Sequence, residues 1–191
     1  MCSSDLFYDA AGSALFEQIT ALPEYYLTRT ETAILDQYAD AMVSGAGDAL
    51  TLVELGAGTA AKTRIVIRAL LRRQRQAAFY PVDVSPAPLE AAAEALPVEF
   101  RRLRVRPVVA DYTAYLSWLR EIPGRKLVLY IGSSIGNFPP ESASGLLARF
   151  RHLAGTEGRL LVGFDLRKIR SGCTRPTTTR PASPRPSTST C

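Results

Sequence analysis

The sequence predicts an α/β fold, in which a parallel β-sheet carries helices on both faces. Between the termini of the 191-residue chain, short apolar runs alternate with segments of helical periodicity, as expected for successive βαβ units. Each run is rich in β-branched or aromatic residues, which is typical of a strand buried on both faces. With 47% hydrophobic residues, the chain can bury a core but has room for about one domain.

The predicted elements alternate along the chain. Strands are expected at 50–55, 78–84, 104–110, 126–131 and 159–165. Helices are expected at 13–22, 28–42, 62–76, 86–96, 112–120 and 140–153. Ser85 is the expected N-cap of the helix at 86–96, because Pro86 suits a first helical turn. Thr28 and Glu31 have the spacing of a capping box, which predicts the start of the helix at 28–42.

Most of the positive charge lies in the C-terminal tail. Residues 170–191 contain four arginines and no acid, so the net charge of +5 falls to +1 for residues 1–169. A nucleic-acid-binding protein is expected to carry a basic face interleaved with aromatic residues, and we therefore predict no nucleic-acid partner. The tail is rich in Pro, Ser and Thr without apolar periodicity, so we expect it to be disordered.

The composition also argues against a membrane protein, a disulfide-stabilised protein and a zinc protein. The sequence contains neither a run of about 18 apolar residues nor a signal-peptide pattern, so we expect no membrane partner and a cytoplasmic location. Its three cysteines (Cys2, Cys173 and Cys191) lie near the termini, which suits a reducing compartment. The single histidine, His152, lies in an Arg-rich helical pattern without further zinc ligands, so we interpret it as a surface residue.

A glycine-rich segment, LVELGAGTAAKTRI at 52–65, follows the first predicted strand. In a doubly wound sheet the turn after this strand lets the backbone approach a ligand, and Gly56 and Gly58 occupy that turn. The segment also fits the loose dinucleotide pattern G-x-G-x-x-G/A, with Ala61 last, but it lacks the P-loop spacing. NAD, ATP and S-adenosylmethionine are all candidate ligands on this segment alone.

Acidic residues at three strand ends favour S-adenosylmethionine among these ligands. Asp83 can accept hydrogen bonds from ribose hydroxyls, which NAD and S-adenosylmethionine both carry. Asp111 can accept from an adenine amino group, with Tyr112 beside it as an apolar wall. Glu54 can meet an ammonium group, which S-adenosylmethionine has and NAD lacks. Each acid alone could instead cap the next helix, and only the three together favour the cationic nucleoside.

Several segments resemble those of the histidine-specific, S-adenosylmethionine-dependent methyltransferases. They are FYDAAGSALFEQITALPEYYLTRTE (7–31), LVELGAGTAAKTR (52–64), YPVDVSP (80–86), ADY (110–112), GSSIGNFPP (132–140) and VGFDLRK (162–168). That family includes the enzyme that trimethylates the α-amine of L-histidine to hercynine in ergothioneine biosynthesis. The resemblance implies a class I methyltransferase fold, a Rossmann-like parallel sheet, here lacking the C-terminal strands and substrate region.

The resemblance also implies roles for particular residues. Cofactor contacts are expected at Gly56, Lys62, Asp83, Asp111 and Tyr112, to which our own interpretation of the residues adds Glu54 and Gly58. Substrate contacts are expected at Tyr25, Gly132 and Asn137, with Tyr8 in the same pocket; Tyr8 and Asn137 are the candidate catalytic residues. Without the resemblance, Lys62 is equally well a surface residue of a first helical turn, the tyrosines pack in a core, and Asn137 is a turn residue.

Boundaries follow from where the resemblance starts and stops. We expect residues 7–169 to form a partial methyltransferase domain and residues 170–191 a disordered tail. Family members continue beyond the DLRK segment, whereas this sequence turns at Ile169 into an Arg/Pro/Ser/Thr-rich stretch, which we interpret as a frameshift near Lys168. Residues 1–6 are expected to be non-native, because CSSDL is similar to a translated sequencing-adapter oligonucleotide.

The predicted function is therefore N-methylation of the α-amine of an amino acid, with L-histidine as the expected substrate and S-adenosylmethionine as the cofactor. We expect a monomer that acts on a small molecule. Two alternatives stay open at this stage. The chain could be a non-catalytic fragment that binds S-adenosylmethionine, or an NAD-dependent oxidoreductase with a Rossmann fold.

Overall fold

A computed structural model describes residues 15, 18–44, 50–114 and 116–166 of the chain. Tyr8, the N-terminal residues 1–6 and the tail at 170–191 lie outside the described residues, and so do the expectations attached to them. None of the helices in the described ranges combines the length and apolar character that a bilayer span requires.

The strands form one parallel sheet, as predicted. They are β1 (Leu50–Leu55), β2 (Ala77–Asp83), β3 (Leu103–Val105), β4 (Val108–Val109), β5 (Arg125–Tyr130) and β6 (Arg159–Val162). The order across the sheet is β3-β2-β1-β5-β6, and β4 pairs with β2 beyond the end of β3. The chain leaves β1 toward β2 on one side and returns to β5 on the other. Doubly wound sheets bind their ligands at the carboxyl ends of the strands that flank such a reversal, which here are β1 and β5.

Helices cover both faces of this sheet. They are α1 (Tyr26–Met42), α2 (Thr63–Arg73), α3 (Pro86–Glu99) and α4 (Pro140–Ala154), with 3-10 helices at Ser117–Glu121 and Ser134–Asn137. Residues 18–21 are also helical. One core lies under α1, α2 and α3, and the other lies under α4 and the first 3-10 helix. Leu52 belongs to the first core and Val53 to the second, because successive side chains of a strand point to opposite faces.

Two predicted elements differ from the structure. The strand expected at 104–110 is two short strands. The N–H groups of Arg106 and Ala110 donate to β2 at 2.9 Å, and the break between the two strands lies opposite Pro81 of β2, which has no N–H to donate. The α-helix expected at 112–120 is wrong: among the described residues of this range, the helical ones belong to the 3-10 helix Ser117–Glu121. Its expected start is a turn instead, since the Asp111 carboxylate accepts from the Thr113 N–H at 2.7 Å and the Asp111 carbonyl accepts from the Ala114 N–H at 3.0 Å.

The predicted helix starts were right at α3 and wrong at α1. Helix α3 begins at Pro86 with Ser85 as N-cap residue, although no side-chain cap hydrogen bond forms. Helix α1 begins at Tyr26, with Tyr25 as the N-cap residue, so Thr28 lies within the first turn and the capping box does not form. The carboxylate of Glu31 instead bonds to groups outside its own helix.

Candidate functional site

The glycine turn between β1 and α2 lies against the end of β2. The N–H groups of Gly56 and Ala57 both donate to the carbonyl of Val82, at 2.8 and 3.1 Å. Gly56 has a φ of +75°, a left-handed conformation that favours glycine. A Cβ atom there would also lie 3.4 Å from the Cε1 atom of Tyr112. Glycine at this position thus lets the turn approach Tyr112 closely.

Asp83 closes the other side of the turn. Its Oδ2 atom accepts from the Gly58 N–H at 2.8 Å, and its Oδ1 atom accepts from the Ser85 N–H at 2.9 Å. An ionised carboxylate offers about four acceptor positions, so two remain for hydroxyl groups of a ligand. The structure therefore brings Gly58 and Asp83 together as the sequence predicts, and Asp83 fixes the turn at the carboxyl end of β2.

Asp111 and Tyr112 follow β4 at the same edge. The Ala110 N–H donates to the Asp83 carbonyl at 2.9 Å, which holds the two strand ends side by side. The Oδ1 atom of Asp111 accepts from both the N–H and the hydroxyl of Thr113 at 2.7 Å, and the residue is exposed. Within the described ranges its Oδ2 atom makes no hydrogen bond, so this oxygen can accept from a ligand.

The ring of Tyr112 belongs to an aromatic cluster. Tyr112 packs edge-to-face on Tyr130 and Phe150, with ring centroids 5.4 and 6.2 Å apart, and Tyr130 lies 5.0 Å from Phe150. Such pairs contribute about 0.5–1.5 kcal/mol each beyond the burial of their area. The cluster therefore holds Tyr112 as a rigid wall under the glycine turn.

Glu54 is buried below the turn rather than exposed in it. The residue is 3% exposed, and its Oε2 atom accepts from the Thr63 hydroxyl at 2.6 Å, at the start of α2. Burial raises the pKa of this carboxyl from 4.5 to about 8; the Thr63 hydrogen bond and Lys62 oppose the shift, while Glu31 and Asp83 add to it. Glu54 is thus largely protonated near neutral pH. Its predicted contact with an ammonium group stays a prediction.

Glu31 joins three elements at the edge of the sheet, and sequence reasoning missed it as a site residue. Its Oε1 atom accepts from the Gly132 N–H at 2.8 Å, directly after β5, and its Oε2 atom forms an ion pair with the Lys62 ammonium group. A signal was present in the sequence. Glu31, Leu35 and Ala39 share one face of α1 at a spacing of four residues, and the last two are buried. An acid on a buried face requires a partner.

Two of the predicted substrate residues, Tyr25 and Gly132, lie close to Glu31. Tyr25 precedes α1, and burial, with a further contribution from the charge of Glu31, raises the pKa of its phenol above 10.0. Gly132 is bonded to Glu31, and a Cβ atom on it would lie 3.6 Å from the Lys62 Nζ atom. Asn137 ends the second 3-10 helix, is exposed, and makes no hydrogen bond to these groups within the described ranges.

Other charged features lie away from this edge. His152 is exposed, and its Nε2 atom lies 2.9 Å from Arg120 Nη1. In the described part of the chain, no three His, Cys, Asp or Glu residues are placed to hold a metal ion. A groove of about 1090 Å³ lies among arginines such as Arg73 and Arg104, near the amino ends of β2 and β3. It contains none of the predicted site residues, so this groove does not mark the site.

Fold and site together define a class of protein, the α/β proteins that bind a nucleoside cofactor at the reversal point of a doubly wound sheet. The donor set fits S-adenosylmethionine. Asp83 keeps acceptor positions for ribose hydroxyls, Asp111 has an oxygen for an adenine amino group, and Lys62 is a cation for a carboxylate. Residues 1–174 match the family of histidine-specific, S-adenosylmethionine-dependent methyltransferases, and the chain belongs to that family.

Individual relatives agree with this assignment. The chain is 40% identical over 162 residues to Histidine N-alpha-methyltransferase of Mycolicibacterium smegmatis, covering 85% of the chain and 50% of the relative. It is 42% identical over 164 residues to the protein of that name from Mycobacterium tuberculosis, with the same coverage of 85% and 50%. The chain thus spans about half the length of these curated relatives.

A solved structure confirms the fold independently. The plantazolicin methyltransferase BpumL in complex with SAH (S-adenosylhomocysteine) superposes with a TM-score of 0.54 at 13% identity, covering 81% of this chain and 53% of that one. At this identity the likeness concerns the fold alone, and it confirms the class I methyltransferase architecture.

Proposed function

We propose that this chain is the cofactor-binding part of an S-adenosylmethionine-dependent N-methyltransferase that acts on the α-amine of L-histidine. One observation carries the proposal. The glycine turn with Asp83, and the residues around Gly132, meet at one edge of the sheet through Lys62 and Glu31. Membership of the family supports the choice of reaction. The relatives named Histidine N-alpha-methyltransferase support histidine as the acceptor and hercynine as the product.

The cofactor side of the proposed site consists of residues that already hold one another. S-adenosylmethionine, when bound, supplies an electrophilic methyl group that a neutral amine nitrogen can accept. Asp83 accepts the ribose hydroxyls, Asp111 accepts from the adenine amino group, and the Tyr112 ring forms the wall beside the base. Gly56 and Gly58 keep side chains out of the turn, so that the ligand can approach the backbone.

Two charged residues complete the cofactor side. Lys62 pairs with the carboxylate of the cofactor's amino-acid tail, as a cation at the start of α2 can. Glu54 is the proposed partner of the ammonium group. Because a nearby cation favours the ionised form of a carboxyl, we expect Glu54 to release its proton when this group binds.

The acceptor side orients the neutral amine, whose nitrogen would supply the electron pair of the new N–C bond. Tyr25 keeps its phenolic proton at neutral pH, because its pKa is raised, so it donates a hydrogen bond rather than acting as a base. Its ring can also favour a growing quaternary ammonium by cation–π attraction. Asn137 carries both a donor and an acceptor for the polar head of an amino acid, and Tyr8 is the second proposed positioning hydroxyl. The near-neutral charge of residues 1–169 supports a small-molecule acceptor rather than a nucleic acid. The proposal also includes a monomer in the cytoplasm.

The decisive experiment is a methyl-transfer assay with the purified chain. A radiolabelled methyl donor is incubated with L-histidine, and the histidine product is separated and analysed by mass spectrometry. We expect one, two or three added methyl groups with the parent chain, and less product with Asp83→Asn at a donor concentration below saturation. Binding of S-adenosylhomocysteine without any transfer would refute catalysis by this chain and leave a non-catalytic fragment.

A further inference from the structure

Glu31 is a charged residue on the buried face of a helix. Its side chain is 15% exposed, and that of Lys62, its ion-pair partner, is 22% exposed. It also lines a groove of about 200 Å³ together with Ile131, Ser133 and Gly163. A carboxylate removed this far from water is costly to hold unless its acceptor positions are occupied.

The position of this carboxylate is fixed on three sides. The Gly132 N–H holds its Oε1 atom at 2.8 Å, and Lys62 holds its Oε2 atom. On the third side stands Gly163, just after β6, where a Cβ atom would lie 2.0 Å from Oε1 and 3.3 Å from Ile131 Cα. Only glycine leaves room for the carboxylate, so α1, α2, β5 and the end of β6 converge on one side chain.

We propose that Glu31 is a positioning residue, which holds Lys62 in place for the cofactor and couples the cofactor side of the site to Tyr25. That the ligand is S-adenosylmethionine rests on the proposed function, whereas the contacts of Glu31 with Lys62 and Gly132 are independent of it. A lysine has a flexible four-carbon stem, and beside an open glycine turn it would sample many rotamers. A carboxylate that is itself held by a backbone N–H selects one of them.

Other ion pairs of the chain are more exposed to solvent than the Glu31–Lys62 pair. Arg64–Glu99 joins α2 to α3 with exposed fractions of 28% and 38%, and Arg72–Asp40 joins α2 to α1 with 55% and 58%. Pairs of this kind are largely screened by water. The charge of Glu31 instead contributes to the raised pKa of Tyr25, the N-cap residue of the same helix, and to the raised pKa of the buried Glu54. Glu31 is therefore linked electrostatically to both halves of the site.

A double-mutant cycle tests whether Glu31 acts through Lys62. Glu31→Gln, Lys62→Gln and the double variant are titrated with S-adenosylhomocysteine by calorimetry. Because Lys62 is then no longer held toward the cofactor, we expect Glu31→Gln alone to weaken binding about tenfold or more. In the Lys62→Gln background the same change should have no further effect. An equal loss in both backgrounds, or no loss in either, would overturn the proposal. Glu99→Gln, which breaks the surface pair with Arg64, is the matched control and should leave the affinity unchanged.

A spectroscopic titration of Tyr25 tests the coupling without any cofactor. The chain is labelled with ¹³C at the tyrosine ring, and the Tyr25 resonance is assigned by its loss in Tyr25→Phe. Removing the negative charge in Glu31→Gln leaves Lys62 as the nearby charge, so the pKa of Tyr25 should fall, whereas Glu99→Gln should not change it. An unchanged Tyr25 titration in Glu31→Gln would contradict the coupling.

If Glu31→Gln does not fold, Gly163→Ala gives the same test by another route. Its Cβ atom would displace the carboxylate without removing the charge. We therefore expect Gly163→Ala to weaken S-adenosylhomocysteine binding when Lys62 is present and to have no effect in Lys62→Gln.

The proposed function and the positioning role of Glu31 can fail separately. A parent chain that binds no S-adenosylhomocysteine refutes the proposed function and leaves the Tyr25 titration to decide the role of Glu31. If the parent chain binds S-adenosylhomocysteine but Glu31→Gln weakens binding equally with and without Lys62→Gln, only the positioning role is refuted.

Discussion

Replacing Glu54 by glutamine should remove a large pH dependence of stability. The carboxyl of Glu54 is buried, and its pKa is raised from 4.5 to about 8. The folded chain keeps this proton up to about pH 8, whereas the unfolded chain releases it near pH 4.5. Between these values the folded state binds one proton more, so the free energy of unfolding falls as the pH rises. Glutamine keeps an oxygen that can accept from the Thr63 hydroxyl but cannot titrate.

The size of the change in the free energy of unfolding follows from the difference between the folded and unfolded pKa values of Glu54. Each pH unit costs about 1.4 kcal/mol, and roughly 3.5 units between the two pKa values give about 5 kcal/mol in total. The contribution of the protonated Glu54 to the free energy of unfolding is fully present below about pH 4.5 and is lost by about pH 8. Compared with a typical free energy of unfolding of roughly 5–15 kcal/mol, this is a large fraction.

Urea unfolding followed by circular dichroism measures the effect directly. The parent chain, Glu54→Gln and the surface control Glu99→Gln are unfolded from about pH 5 to about pH 8, at one ionic strength. The parent and the control should lose about 1.4 kcal/mol per pH unit relative to Glu54→Gln. Parallel pH profiles for the parent and Glu54→Gln would show that Glu54 does not titrate in this window, and the reasoning from burial would be wrong.

Three further substitutions test the glycine turn, the acid beside it and the core below it. Gly56→Ala introduces a side chain at a φ of +75° against Tyr112, and we expect a loss of about 1–2 kcal/mol of stability in urea unfolding, with weaker S-adenosylhomocysteine binding in calorimetry. Asp83→Asn replaces one carboxylate oxygen by an NH₂ group, which would face the N–H of Gly58 or of Ser85. The turn then loses one of its hydrogen bonds, so cofactor affinity should fall about tenfold or more in the same titration. Phe150→Ala empties a 1% exposed position beside Tyr112 and Tyr130 and should cost about 3–5 kcal/mol in urea unfolding; a smaller loss would mean that the cluster repacks.

Strands and helices with strong local signals could be predicted from the sequence. The bounds of β1 match the prediction, because a short, mostly apolar run ends at a glycine turn. The start of α3 also matches, because Pro86 is favoured only in a first turn. The strand expected at 104–110 is interrupted opposite Pro81 of β2, a partner that only the pairing of the strands reveals. The helix expected at 112–120 was wrong because the side chain of Asp111 competes with the backbone at its start.

The site was predictable where it depends on strand ends and not where it depends on tertiary contacts. The turn glycines and Asp83 follow β1 and β2 directly, and parallel strands bring their carboxyl ends to one edge. Glu31 depends on partners 31 and 101 residues away in the sequence, Lys62 and Gly132. Its local spacing from Thr28 instead indicated a capping box, and only the packing of α1 on the sheet shows where the carboxylate goes.

The most direct test of the account is a calorimetric titration of the parent chain with S-adenosylhomocysteine, with NAD as a parallel ligand and Asp83→Asn as a parallel variant. If the edge formed by the glycine turn, Asp83 and Lys62 is the cofactor site, the parent chain binds one S-adenosylhomocysteine, Asp83→Asn binds it at least about tenfold more weakly, and NAD gives no heat of binding. Binding of NAD, or equal binding of S-adenosylhomocysteine by the parent chain and Asp83→Asn, would contradict the account.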